Sequence, residues 1–150
     1  MDYLEIDALV NGIIGSSEAV KQDLGRRLAA HLGLNPGQAG KDGGIDGDGI
    51  LNQKRIYFQC KLYRTPLDAS FTADFCGNLV IHKADIGIML SGVGYTEGYS
   101  TRLQKFHNNY PQSITTHLLK LEDIFAETLV FEKAKLDLPQ LRDLRDGYFD

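Results

Sequence analysis

The chain has 150 residues, 43% of them hydrophobic and 24% charged, with a formal net charge of −4. These values suit a soluble globular protein with one real core. No apolar run approaches a membrane span, and the opening MDYLEIDALV lacks the basic start of a secretory signal. Both cysteines fall where buried thiols belong, Cys60 on the core face of a strand and Cys76 on a helix. The expectation is a reducing, cytoplasmic setting without a disulfide framework. The four histidines are scattered, so no zinc spacing is present.

Residues 3–14 read as a short helix, with Leu4, Ala8 and Val10 as packing residues. Ser16 or Ser17 can cap a helix over about 17–32, where Val20, Leu24, Leu28 and Leu32 recur at i+4 as one apolar stripe. Gly33 to Ala39 is a turn or a short strand, with Pro36-Gly37 favouring the turn. A hairpin follows over about 44–63, its turn drawn from Gly47, Asp48, Gly49 and Asn52. Leu67, Phe71, Phe75 and Leu79 mark a helix over 67–82, and residues 86–90 a short buried strand. Thr96 caps a helix through Asn109, with Tyr99, Leu103, Phe106 and Tyr110 on one face. Residues 114–121 read as a final strand and 122–133 as a helix, followed by a charged tail. That tail holds Leu138, Leu141, Leu144, Tyr148 and Phe149, and docking onto its own domain is the default for such an amphipathic segment. Strands alternating with helices predict an α/β layered fold with a mixed central sheet.

The chemistry concentrates between Gly40 and Lys61. On the strand 54–63, Ile56, Phe58, Cys60 and Leu62 share an apolar face, and Tyr57, Gln59, Lys61 and Tyr63 share the other. Gln59 and Lys61 therefore point the same way, about 7 Å apart along the strand. Hairpin pairing would lay residues 44–50 beside 55–61 and bring Asp46 next to Gln59 and Lys61. A carboxylate, an amide oxygen and a lysine on one face suit hydrolysis of a phosphodiester. Asp46 would be the main ligand of Mg2+, with the Gln59 side-chain oxygen and the Cys60 main-chain carbonyl as further hard oxygen ligands. Lys61 would hold the attacking water and neutralise charge in the transition state. Asp-Gly is also an ordinary turn dipeptide, and a lysine on an open strand face is common; spacing alone leaves both readings open.

Further motifs stand in a fixed order: Gly40-Lys41-Asp42-Gly43-Gly44-Ile45-Asp46, Gln59-Cys60-Lys61, Phe75-Cys76-Gly77-Asn78-Leu79, Ala84-Asp85-Ile86-Gly87-Ile88-Met89-Leu90 and Ser91-Gly92-Val93-Gly94-Tyr95-Thr96. In this order the chain resembles the Mrr-type branch of the restriction-endonuclease-like, PD-(D/E)xK nucleases, over about residues 16–110. The resemblance implies a restriction-endonuclease-like three-layer fold, with a core over about 16–121 and a C-terminal helix and tail over 122–150. It implies a Mg2+-dependent deoxyribonuclease, with Mn2+ as a substitute, centred on Asp46, Gln59 and Lys61. It also implies an acid on the first main helix that helps to hold the metal. Glu18 matches best, while Gln22 or Asp23 fit if that helix runs one turn longer than the family pattern. Read alone, Glu18 is a favourable acid near the positive end of a helix dipole. Domains of this branch commonly act as cleavage modules in restriction or anti-phage systems, beside a separate recognition domain. Partners are then DNA and either further copies of the chain or a larger assembly that supplies target recognition.

The acidic balance is unusual for a free-standing nucleic-acid binder. Acids gather towards the two ends of the chain and cations in its middle, among them Lys54, Arg55, Arg64 and Lys83, the expected phosphate contacts. Two other readings remain: a nucleic-acid-binding or assembly module of this fold that no longer cuts, and a junction resolvase, against which the acidic balance counts.

Overall fold

The computed structural model describes residues 1–37 and 46–143. The segments 38–45 and 144–150 lie outside the described residues, and with them most of the Gly-rich motif and Leu144, Tyr148 and Phe149. The elements are α1 (Tyr3–Ile14), α2 (Glu18–His31), β1 (Asn35–Pro36), β2 (Gly47–Leu51), β3 (Lys54–Lys61), α3 (Ala69–Ile81), β4 (Ile86–Ser91), α4 (Glu97–Asn109), β5 (Thr115–Lys120), α5 (Leu121–Phe125) and α6 (Leu129–Lys135).

The five strands form one mixed sheet in the order β1-β2-β3-β4-β5. The first three are antiparallel to one another, and β3, β4 and β5 run parallel. Two successive crossovers step the same way across the sheet, from β3 to β4 and from β4 to β5. With the usual right-handedness, both crossover helices, α3 and α4, fall on one face. There Phe75, Leu79, Tyr99 and Leu103 cover Tyr57 and Met89. The opposite face of the sheet, with Ile56, Phe58, Ile88 and Leu119, is covered by Ile14 of α1, Leu28 of α2, Ile124 of α5 and Phe131 of α6. The fold is thus α/β in three layers, helices on both faces of a mixed sheet, as the alternation of elements predicts.

Two glycines set how close the layers come. At Gly47 a Cβ would sit 2.8 Å from the Ala29 Cβ of α2, and at Gly87 it would sit 2.5 Å from Leu79 Cδ2 of α3. Both are far inside van der Waals contact, so only glycine lets these helices lie down on the sheet. The hairpin differs from its expected form in consequence. Gly47, Asp48 and Gly49 are strand residues of β2. The reversal falls on Asn52 and Gln53, both with left-handed backbones (φ 51° and 68°), the geometry of a two-residue primed turn.

Other expectations are corrected at the edges of elements. In α1 the buried residues are Ile6 and Ile14, and Leu4 is 76% exposed. In α2 Val20 is 53% exposed, and the stripe begins in effect at Leu24. Gly25, not Val20, faces β3 near this end, against Cys60. The helix expected over 122–133 is two helices. Asp123 caps the start of α5 by accepting from Lys120 N–H at 2.9 Å; the break follows Phe125, where Glu127 turns left-handed (φ 50°), Thr128 Oγ1 donates to Asp123 at 2.8 Å and Thr128 caps α6. The tail docks on its own domain as far as it is described. Leu138 is buried in the core under α2, and Arg142 N–H donates to His31 C=O at 2.9 Å.

Candidate active site

The site is assembled where β2 runs out beside the carboxyl end of β3. The hairpin register pairs Gly47 with Phe58 and Asp48 with Tyr57 and ends there, with Asp46 just before β2. Its N–H donates to Phe58 C=O at 3.0 Å, and its C=O accepts from Gly37 N–H at 2.8 Å. Its side chain continues the ladder: Cys60 N–H donates to Asp46 Oδ2 at 2.7 Å. Asp46 precedes β2 and leaves its register, with its N–H turned to β3 and its C=O to β1, so its side chain is placed by the Cys60 bond and not by strand alternation. Lys61 is close enough for its ammonium to act on the Asp46 carboxyl, and Gln59 shares the Lys61 face of β3.

Electrostatics at the cluster are set by burial. Desolvation pushes the Asp46 carboxyl above the ordinary carboxylate value, against the opposing pull of the Cys60 N–H and the Lys61 ammonium. Burial first, and then the Asp46 charge, push the Cys60 thiol well above its usual range, so it is no nucleophile. The Tyr57 hydroxyl is held protonated by burial and by the charges of Asp46 and Asp74.

Gln59 is the least expected member. It is only 2% exposed, lying under α3. Its Nε2 donates to Asp74 Oδ2 at 2.9 Å, while its Oε1 is buried without a hydrogen-bond partner. A buried acceptor left bare costs about 1–3 kcal/mol. A cation beside Asp46 is a natural partner for it. The Cys60 carbonyl is on the same strand edge as the Phe58 carbonyl, two residues on, and so turns to the side where Asp46 lies. Among the described residues no group of three or more His, Cys, Asp or Glu side chains is poised for a metal. The donor set here is of another kind: one carboxylate, one amide oxygen and one main-chain carbonyl. All are hard oxygens, and they fit Mg2+, which takes few protein ligands and keeps its waters.

The remaining expected residues are placed as follows. Glu18 opens α2 with an exposed carboxylate paired to Lys21 Nζ at 3.4 Å. It belongs neither to the Asp46–Cys60 pair nor to the Gln59–Asp74 pair. Gln22 is exposed, and Asp23 pairs with Arg27 at 3.6 Å. The expected phosphate contacts divide between two ends of the sheet. Arg64 follows Lys61 at the site end, whereas Lys54 and Arg55 begin β3 and Lys83 precedes β4. The Arg55 N–H bond to Asp85 Oδ2 at 2.8 Å ties these last residues together, roughly 20 Å from Lys61 along the strand.

Two residues near the cluster were not singled out from sequence. Lys21 is partly buried on α2 and reaches Leu62 C=O at 3.3 Å, one residue beyond Lys61. Asp74 reaches the cluster from α3. Its one sequence signal is an acid directly before Phe75, on the helix that covers the Gln59 face. Compared with known proteins, the chain matches no family model and no curated protein.

Proposed function

We propose that the chain is a Mg2+-dependent endonuclease of the Mrr type that hydrolyses phosphodiester bonds in DNA, the cleavage module of a restriction or anti-phage system. The observation that carries this reading is the Lys61 charge acting on an Asp46 carboxylate bonded by the Cys60 N–H, with the neighbouring Gln59 on the Lys61 face of β3 buried and unpartnered at Oε1. No structural bond explains the burial of Gln59 Oε1.

Asp46, Gln59 Oε1 and the Cys60 carbonyl would hold the cation. When bound, Mg2+ supplies a Lewis acid for the phosphate oxygens and the leaving group. Lys61 orients the attacking water and offsets the negative charge that builds up on the phosphate. Tyr57 and Phe75 form an apolar floor beneath the cluster, which strengthens each of these charges. Arg64 and Lys21 add positive charge at the same end and suit contacts with the DNA backbone. Cleavage of both strands calls for two such sites, so a second copy of the chain or a larger cytoplasmic assembly belongs to the reading.

The test is incubation of the purified protein with supercoiled and linear DNA in Mg2+, Mn2+ or EDTA. Nicking or cutting in the metals and none in EDTA is the expected result. DNA binding without cleavage in both metals would favour the silent binding module, for which Gln59 in place of an acid speaks. A strong preference for four-way junctions over duplex would favour a resolvase.

A further inference from the structure

Gln59 raises a problem of direction. An amide side chain has a donor edge and an acceptor edge, and only the acceptor edge can serve a cation. A glutamine free to flip would present the wrong edge part of the time. Here one edge is committed. Asp74 Oδ2 accepts from Gln59 Nε2 at 2.9 Å, and an ionised carboxylate has nothing to donate to Oε1. The flipped amide would set oxygen against oxygen. Asp74 therefore admits a single orientation, and that orientation leaves Oε1 bare in the interior.

We propose that Asp74 is a positioning residue that locks the Gln59 amide with Oε1 turned to the cation held by Asp46. The inference rests on the metal-dependent reading of that cluster. Asp74 touches neither substrate nor cation; it acts through Gln59. It lies on α3, whereas Asp46 directly precedes β2, so the two acids belong to different parts of the chain. A Q-x-K site held in this way obtains from α3 the orientation that a glutamate, with two equivalent oxygens, would not need.

That difference supplies the test. Mn2+ binding to the full chain is measured by titration calorimetry for the wild type and for Asp46→Asn, Asp74→Asn, Gln59→Glu and the double variant Gln59→Glu/Asp74→Asn. Thermal unfolding checks that each one folds. Asp74→Asn should weaken Mn2+ binding by about tenfold or more, the usual effect of losing a partner behind a metal ligand. In the Gln59→Glu background the same substitution should cost nothing, and should strengthen binding by removing a like charge. Equal losses in both backgrounds would show a merely structural Asp74 and overturn the proposal. So would wild-type affinity in Asp74→Asn alongside lost binding in Asp46→Asn, a result that leaves the cation site standing. If the wild type binds Mn2+ no better than Asp46→Asn does, the metal reading itself fails and the role of Asp74 fails with it.

Discussion

Single residues at the cluster carry a cost that the fold alone does not repay. Asp46 has its carboxyl raised by burial, so the native state holds a proton more tightly than the unfolded chain does. Its contribution to stability is greatest below the ordinary carboxylate value and falls as pH rises through the raised one. Asp46→Asn should therefore be at least as stable as the wild type at neutral pH in EDTA, and its stability should depend less on pH. Mg2+ at about a hundredfold over its Kd should stabilise the wild type by roughly 2.7 kcal/mol and leave the variant unmoved. Urea unfolding with and without the metal reads both effects. Tyr99 is a contrasting case. Its hydroxyl is buried without a hydrogen-bond partner, at some distance in sequence from the cluster. Tyr99→Phe should leave stability unchanged or raise it by about 1 kcal/mol, since a bare buried hydroxyl is costly. At this scale the sequence is only partly legible. The shared face of Gln59 and Lys61 follows from strand alternation, whereas the place of Asp46, set by its bond to Cys60, and that of Asp74 do not. The role of Asp74 depends on which edge of α3 meets β3, and no spacing within a helix states which strand lies beneath it.

Elements were mostly legible, and the failures have physical reasons. The caps Ser17 and Thr96 accept from the N–H groups of Val20 and Tyr99, as their positions predict. The apolar spacing of Phe71, Phe75 and Leu79 locates α3 correctly, because all three pack on the sheet. The glycines of the hairpin mislead. They resemble turn residues, but Gly47 is there for the approach of Ala29, a contact between segments distant in sequence. The break between α5 and α6 is hidden for a different reason: Glu127 takes a left-handed backbone and Thr128 turns back to bond Asp123 and cap a new helix. Gly87 makes the close approach testable. In Gly87→Ala the new methyl group would meet Leu79 and Phe75, lowering stability by about 1–3 kcal/mol. The urea midpoint should fall at unchanged slope; an unchanged midpoint would show that α3 has room to move.

For the whole molecule, the sheet order and the two helical layers follow from the alternation of elements and the handedness of the crossovers. The distribution of charge does not. Lys54, Arg55 and Lys83 are near Lys61 in the chain, yet parallel pairing of β3 and β4 carries them to the opposite end of the sheet. The site end keeps Lys21, Lys61 and Arg64, a small positive area on a chain of net charge −4. Among the described residues no helix is long and apolar enough to cross a membrane. Binding to DNA should fall only modestly with added salt, because few phosphate contacts release few counterions. The central claim is that Lys61 acts on a phosphodiester bound beside Asp46. The most direct measurement compares the wild type and Lys61→Ala on supercoiled DNA in Mg2+, with Mn2+ binding of both proteins checked by titration. The account predicts nicking by the wild type and none by Lys61→Ala, although the variant folds and still binds the metal. Cleavage that survives in Lys61→Ala, or a wild type that shows no metal-dependent cleavage, would contradict it.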